Sequence, residues 1–144
     1  YHYHDPKLPS SLWHYVPWDL NQSFGQDWRT ERSAPQSTQP EGYYVYMNGL
    51  FERILDDDNL GPALRARYGT ELAGPYAVEP LLALFDGMVQ EVAASAQRDE
   101  TKWSATYRSY NGWNTRSDFT TFEQEAQYMR RWIVDRHAYL DSLY

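Results

Sequence analysis

Trp13-His14-Tyr15-Val16-Pro17-Trp18-Asp19-Leu20-Asn21-Gln22-Ser23-Phe24-Gly25 is the stretch from which the fold is read. It opens as an aromatic, hydrophobic strand, meets a lone carboxylate, and continues as a polar loop ending in Phe-Gly. Ladder hydrogen bonds would fix the backbone that carries Asp19, and Gly25 lets the loop turn away. A carboxylate held at a strand end is a candidate ligand for a hard cation. Without further context, Asp19 reads more readily as a turn residue capping nearby backbone N–H groups.

Outward from this segment, Tyr1-His2-Tyr3-His4 alternates like the interior of a second strand. The turn-rich link Asp5-Pro6-Lys7-Leu8-Pro9-Ser10-Ser11 joins the two into an expected β-hairpin. Pro17 falls near a strand end, where a missing N–H is tolerated. Because the chain opens mid-pattern, it is expected to be a fragment of a longer domain. From Asn21 to Pro40 the sequence is polar and aperiodic, an exposed loop of about twenty residues, a length usually tied to function or mobility.

The remainder reads as helix. Tyr44, Met47, Leu50, Phe51, Ile54 and Leu55 recur at helical spacing. Asp57, Asp58 and Asn59 end that helix and cap the next, with Pro62 in its first turn. Leu60, Leu64, Tyr68 and Leu72 define the second helix, which closes near Gly74-Pro75. A third runs from Val78 to about Gln97 on Leu81, Leu82, Phe85, Met88, Val89 and Val92. The segment from Asp99 to Asp118, with Trp103, Tyr107, Tyr110 and Trp113, has no assigned structure. The last helix starts at a capping-box pattern, Thr120-x-x-Glu123, and should bury Met129, Ile133 and Leu140 in the main core. The expected class is therefore α+β in one domain over residues 1–144: a hairpin and metal-binding loop over 1–25, and a helical region over 42–144.

Composition narrows the chemistry. The 144 residues are 42% hydrophobic and 17% aromatic, enough for a core. Thirteen Tyr and six Trp suit sugar or nucleotide contacts as well as packing. A net charge of -7 argues against nucleic acid as partner. No apolar run approaches the ~20 residues of a membrane span, so no membrane insertion is expected. The absence of cysteine removes thiolate metal sites and thiol nucleophiles. His2, His4 and His14 lack a fourth ligand at metal-site spacing and read as half-buried strand histidines. Glu52, Asp56, Asp57 and Asp58 lack the spacing and Gly of a calcium loop and read as a solvated helix end. No P-loop, Gly-x-Ser-x-Gly or His-Glu-x-x-His occurs, so hydrolase and nucleotidase chemistries have no support.

The chain resembles the spore coat protein H (CotH) kinase family, a set of bacterial, atypical protein-kinase-like domains. Pro17-Trp18-Asp19 followed by Phe24-Gly25 carries the resemblance. The Tyr-x-Tyr-x-Asp-Pro opening over Tyr1–Pro6, Leu50-Phe51-Glu52-Arg53-Ile54-Leu55, Leu64–Tyr68 and Trp132–Leu140 extend it along the whole chain. The resemblance implies an ATP- and Mg²⁺-dependent transferase that phosphorylates Ser or Thr hydroxyls of a protein substrate. Asp19 would ligate Mg²⁺, Asn21 would be a second metal ligand, and Trp18 would contact the nucleotide cofactor. Many members carry Asp where Asn21 stands; the amide keeps an oxygen donor but loses a charge, which weakens metal binding. Ser23 either completes the coordination sphere or solvates the loop, and Phe24 is expected to pack beneath it. The family's catalytic Asp and nucleotide clamp would lie upstream of Tyr1. The chain is thus expected to be the C-terminal part of the domain, inactive alone and partnered by the missing N-terminal part. Its expected location is extracytoplasmic, on the spore coat or cell surface. The alternative is a non-catalytic surface or spore-coat interaction module whose helices and aromatic residues bind protein or glycan.

Overall fold

A computed structural model describes residues 2–4, 7, 13–15, 23–25, 32–36, 49–109 and 121–144. Among these, strand is confined to β1 (His2–His4) and β2 (Trp13–Tyr15), three residues each. Helix fills α1 (Gly49–Asp56), α2 (Leu60–Leu72), α3 (Val78–Ser109) and α4 (Phe122–Asp141), of 8, 13, 32 and 20 residues. The expected α+β class with a hairpin layer is therefore corrected: the described architecture is helical. The strand pieces face each other antiparallel, with His2 opposite Tyr15, Tyr3 opposite His14 and His4 opposite Trp13. Three residues make no layer for helices to pack on. A proline two residues past Tyr15 has no N–H to extend the ladder. None of the three histidines stands opposite another in this register.

The α1–α2 corner follows from local chemistry. Asp57 Oδ1 accepts from the backbone N–H of Asn59 and of Leu60, both at 2.9 Å. Those are donors that a helix start leaves unpaired. Asn59, at the N-cap itself, makes no side-chain cap bond, so the capping role expected of the acidic run falls on Asp57. Accepting two N–H bonds stabilises the ionised carboxyl and lowers its pKa below the ordinary 3.8. A depressed folded-state pKa contributes stability that is present above the unfolded value and lost as pH falls through the folded one. Acidification below about pH 4 should loosen this corner in the wild type, and Asp57→Ala should show the loosened corner already at pH 7 with no further acid step there. Amide exchange at Leu60 across a pH series checks this; identical profiles in the two proteins would rule out the cap.

The third helix runs twelve residues beyond the expected Gln97, to Ser109. Gln97 to Ser109 contains no Gly or Pro, and Gln, Arg, Glu, Lys and Ala all sustain helix. At 1.5 Å per residue α3 spans about 48 Å and α4 about 30 Å, so α3 overhangs its neighbour. The two helices share the largest interface of the bundle, and α2 packs on α4. Asp86 of α3 and Arg130 of α4 meet across it at 3.1 Å, both half-exposed, a pair worth about 0–1 kcal/mol. The Nε2 of His137 lies 3.1 Å from the Leu72 carbonyl at the end of α2. The rings of Tyr68 and Tyr144 stack 4.8 Å apart. The capping box of α4 is displaced by one residue from the expected Thr120/Glu123. Thr121 Oγ1 accepts from Gln124 N at 3.3 Å, and Gln124 Oε1 accepts from Thr121 N at 3.1 Å. Both registers satisfy the pattern, because Gln accepts as Glu does.

The core is thin. Leu72 and Ala126, each 8% exposed, are the buried hydrophobic residues among those described. Met129, Ile133 and Leu140, expected in the main core, are half-buried. Ile133 and Leu140 instead line an apolar groove of about 320 Å³ between α2, α3 and α4, together with Leu72, Leu81, Phe85 and Met88. The cost of truncating Ile133 scales with the contacts it makes. Ile133→Ala should lower stability by about 1–2 kcal/mol, below the 2–5 of a fully buried site. Chemical denaturation measures it, and a loss above 4 kcal/mol would mean the groove is closed in solution.

Candidate functional site

Trp18, Asp19 and Asn21 lie outside the described residues, as do Tyr110 and Trp113. The end of their segment, Ser23-Phe24-Gly25, is described, and its conformation is unusual. Phe24 has φ 56° and Gly25 φ 76°, two consecutive residues in the left-handed region. Gly adopts it freely; Phe does so at a cost of about 1–2 kcal/mol. Surrounding contacts must offset that cost, and they come from the helical bundle.

The Phe24 ring meets Phe85 of α3 edge-on at 6.3 Å and Trp132 of α4 edge-on at 5.8 Å. Such pairs contribute about 0.5–1.5 kcal/mol each beyond the area they bury. Phe24 thus packs on α3 and α4. Its carbonyl accepts from the Tyr128 hydroxyl at 2.8 Å. The Gly25 carbonyl accepts from both the backbone N–H and the Oγ of Ser33, each at 2.8 Å. Gly25 and Ser33 are eight residues apart, so this pair of bonds closes the chain on itself.

The returning segment is tied to the same helix. Arg32 donates through Nη2 to both carboxylate oxygens of Glu125, at 2.7 and 2.8 Å. Its guanidinium lies 3.9 Å from the centre of the Tyr128 ring. Both partners of the ion pair are less than a quarter exposed, so it is screened less than a surface pair. Arg136 donates to the Pro35 carbonyl, and its guanidinium sits 6.0 Å from the Trp132 ring and 5.4 Å from the Tyr139 ring. Glu125, Tyr128, Trp132, Arg136 and Tyr139 fall at i, i+3, i+7, i+11 and i+14, one continuous stripe of α4. The sequence reading followed the apolar stripe of this helix and missed the polar and aromatic one beside it. Its signal was that same periodicity, seven residues separating Glu125 from Trp132 and Trp132 from Tyr139.

Chemically, the stripe is a platform rather than a site. Of its charged members, Glu125 is engaged by Arg32 and Arg136 by the Pro35 carbonyl, and among the described residues no group of three or more His, Asp or Glu is placed to hold a metal. Asp57, in the acidic run that ends α1, caps the start of α2. What the platform does is fix the exit of the segment that carries Asp19 and Asn21. No helix of the described residues is long and apolar enough to cross a membrane.

The left-handed Phe24–Gly25 turn, which in sequence follows the Pro-Trp-Asp motif, is thus held on α4 by Tyr128 and Trp132. The family model described as CotH kinase protein matches residues 1–140, and the chain belongs to that family. The family is associated with spore coat proteins. Comparison with curated proteins and with solved structures returned no match.

Proposed function

We propose that this chain supplies the metal-binding side of an ATP- and Mg²⁺-dependent phosphotransferase acting on protein Ser or Thr hydroxyls, located on the spore coat or cell surface. The observation that carries the reading is the anchored Phe24–Gly25 turn at the end of the Pro-Trp-Asp motif in a chain of the CotH kinase family. A strained turn held by an over-determined set of contacts is the kind of backbone that functional sites retain.

Asp19 and Asn21 offer one carboxylate and one amide oxygen. That hard, oxygen-only donor set fits Mg²⁺, which binds through one or two carboxylates and keeps waters and phosphate oxygens as its other ligands. When bound, the ion would neutralise the phosphate charge that opposes transfer. Asp19 is the charged donor, and its role is to hold position while the phosphates are in place. Asn21 adds an oxygen without adding charge. Trp18 contributes an aromatic face with one N–H donor, suited to the nucleotide. The platform residues hold the Phe24–Gly25 end of this segment. Calorimetry of ATP binding with and without Mg²⁺, in the wild type and in Asp19→Asn, tests the reading.

A second reading has one observation in its favour. Trp103 is 41% exposed on the overhanging half of α3, beside Lys102, whose ammonium lies 4.6 Å from its ring centre. An exposed tryptophan on a helix suits a module that binds protein or glycan. Absence of any Mg²⁺-dependent nucleotide binding in the wild type would leave that reading standing.

A further inference from the structure

We propose that the exposed face of α3 pairs two copies of this chain, antiparallel across a twofold axis, with the overhanging half of each helix seated at the apolar groove of the other. The pairing needs neither metal nor nucleotide. Leu84, Met88 and Val92 recur every four residues and are 59%, 56% and 47% exposed; Trp103, farther along α3, is 41% exposed. Leu84 and Met88 form the lip of the groove that Leu72, Phe85 and Ile133 line more deeply. A second hollow of about 470 Å³ shares Leu72, Leu81 and Leu140 with it, so the two are continuous. An apolar groove of this kind receives the apolar face of a helix. The free half of α3 is such a helix, because its 32 residues outrun the 20 of α4.

Charge identifies the occupant as a second copy. Glu91 and Arg98 are exposed and seven residues apart, so they share one edge of this face. Arg98 donates to Ser95 Oγ at 3.0 Å through one nitrogen and has others to offer a carboxylate. Two copies aligned parallel and in register would set Glu91 against Glu91, Arg98 against Arg98 and Asp99 against Asp99. Aligned antiparallel about the midpoint between Glu91 and Arg98, they set Glu91 of each copy against Arg98 of the other. One symmetry axis thus makes two opposite-charge pairs. Ala93, Ala94, Ser95 and Ala96 fill that midpoint, and side chains this small let helix axes approach to about 8 Å. Trp103 lies about as far beyond the midpoint as Leu84 and Met88 lie before it. The same register therefore carries the indole of one copy to the groove lip of the other. An unrelated peptide would leave the symmetry of Glu91 and Arg98 unused.

Sedimentation equilibrium of the intact chain, over a concentration series at low salt, tests the pairing. Five forms are compared: wild type, Glu91→Arg, Arg98→Glu, the double swap Glu91→Arg/Arg98→Glu, and Trp103→Ala. All three positions are exposed, so far-UV circular dichroism and thermal unfolding of the dilute proteins should stay at wild type. Wild type should dimerise and stop at two copies, since a twofold contact is closed. Each single charge variant turns two attractions into two repulsions and should weaken the dimer about tenfold. The double swap restores opposite charges and should return the affinity to within about twofold of wild type. Equimolar Glu91→Arg and Arg98→Glu should form a mixed dimer tighter than either forms alone. Trp103→Ala should weaken association at least about tenfold. If that variant fails to fold, the charge set decides by itself. A wild type that stays monomeric up to millimolar concentration overturns the proposal. So does a dimer indifferent to all four variants, or a double swap no tighter than the single ones. A monomeric wild type that takes up the apolar dye ANS gives the groove to another occupant and overturns the pairing as well.

Discussion

Gly25→Ala should unlock the turn from α4. Two independent effects act at this position. The backbone φ of 76° is open to Gly and costs Ala about 1–2 kcal/mol. A Cβ built on the present backbone would also lie 2.6 Å from Trp132 Nε1 and 2.7 Å from the Ser33 carbonyl oxygen. Neither neighbour yields easily. The indole is wedged between Phe24 and Arg136, and the carbonyl belongs to the segment that closes on Gly25. Overpacking of this kind adds about 1–3 kcal/mol. The combined cost, about 2–5 kcal/mol, exceeds what the Tyr128 hydrogen bond and one ring contact return, so the turn should leave its dock instead of bearing the strain. Ser33 amide exchange should rise by at least about thirtyfold, and Trp132 fluorescence should shift to the red as its ring gains water. Gly25→Asn separates the causes. Asn tolerates the left-handed region but brings the same Cβ, so it should fail as badly as Ala if the contact dominates. Wild-type exchange in both variants would show that Gly25 is not pressed against Trp132.

What the sequence revealed and what it hid divide along physical lines. Helices α2 and α4 were legible because apolar residues recur on one face, and because a Thr with Glu or Gln three residues later marks an N-terminus. The pattern left the start of α4 uncertain by one residue, since Thr120 and Thr121 both begin such a box. The overhang of α3 was missed because hydrophobic periodicity fades after Val92. That fading says only that the helix stops being covered, and Met88 and Leu84 are already 56% and 59% exposed before it. Helix persists there on propensity and length, not on burial. The α+β expectation arose from aromatic alternation around His2 to Tyr15; three-residue strands carry that alternation without building a layer. Arg32 with Glu125 and Tyr128 with Phe24 were not legible, because pairs separated by about a hundred residues leave no local mark. Burial was overread most of all: a stripe such as Met129, Ile133 and Leu140 shows which way a helix faces, and whether that face is sealed depends on what lies across from it.

Asp19→Asn should abolish Mg²⁺-dependent ATP binding in the intact protein while far-UV circular dichroism stays helical. Within the motif Asp19 is the sole charge, because the position where many family members carry a second Asp holds Asn21. On the proposed metal reading, the protein would supply one anion and one neutral oxygen. Replacing that anion by an amide keeps size and an oxygen lone pair but removes the charge that offsets the cation beside the phosphates. A metal's charge stabilisation in such a site is worth several kcal/mol, so the Mg²⁺-dependent part of the affinity should fall by at least about a hundredfold. The reverse substitution has the opposite sign: Asn21→Asp adds a second carboxylate and should tighten the Mg²⁺ requirement. Calorimetry across a Mg²⁺ series measures both, with ATP alone as the baseline. The competing account of Asp19 is a turn residue that caps local N–H groups. It predicts a different pair of results: lower thermal stability in Asp19→Asn, and identical Mg²⁺ dependence in all three proteins. The two accounts cannot both survive the same titration, and an unchanged affinity in Asp19→Asn sinks the metal assignment.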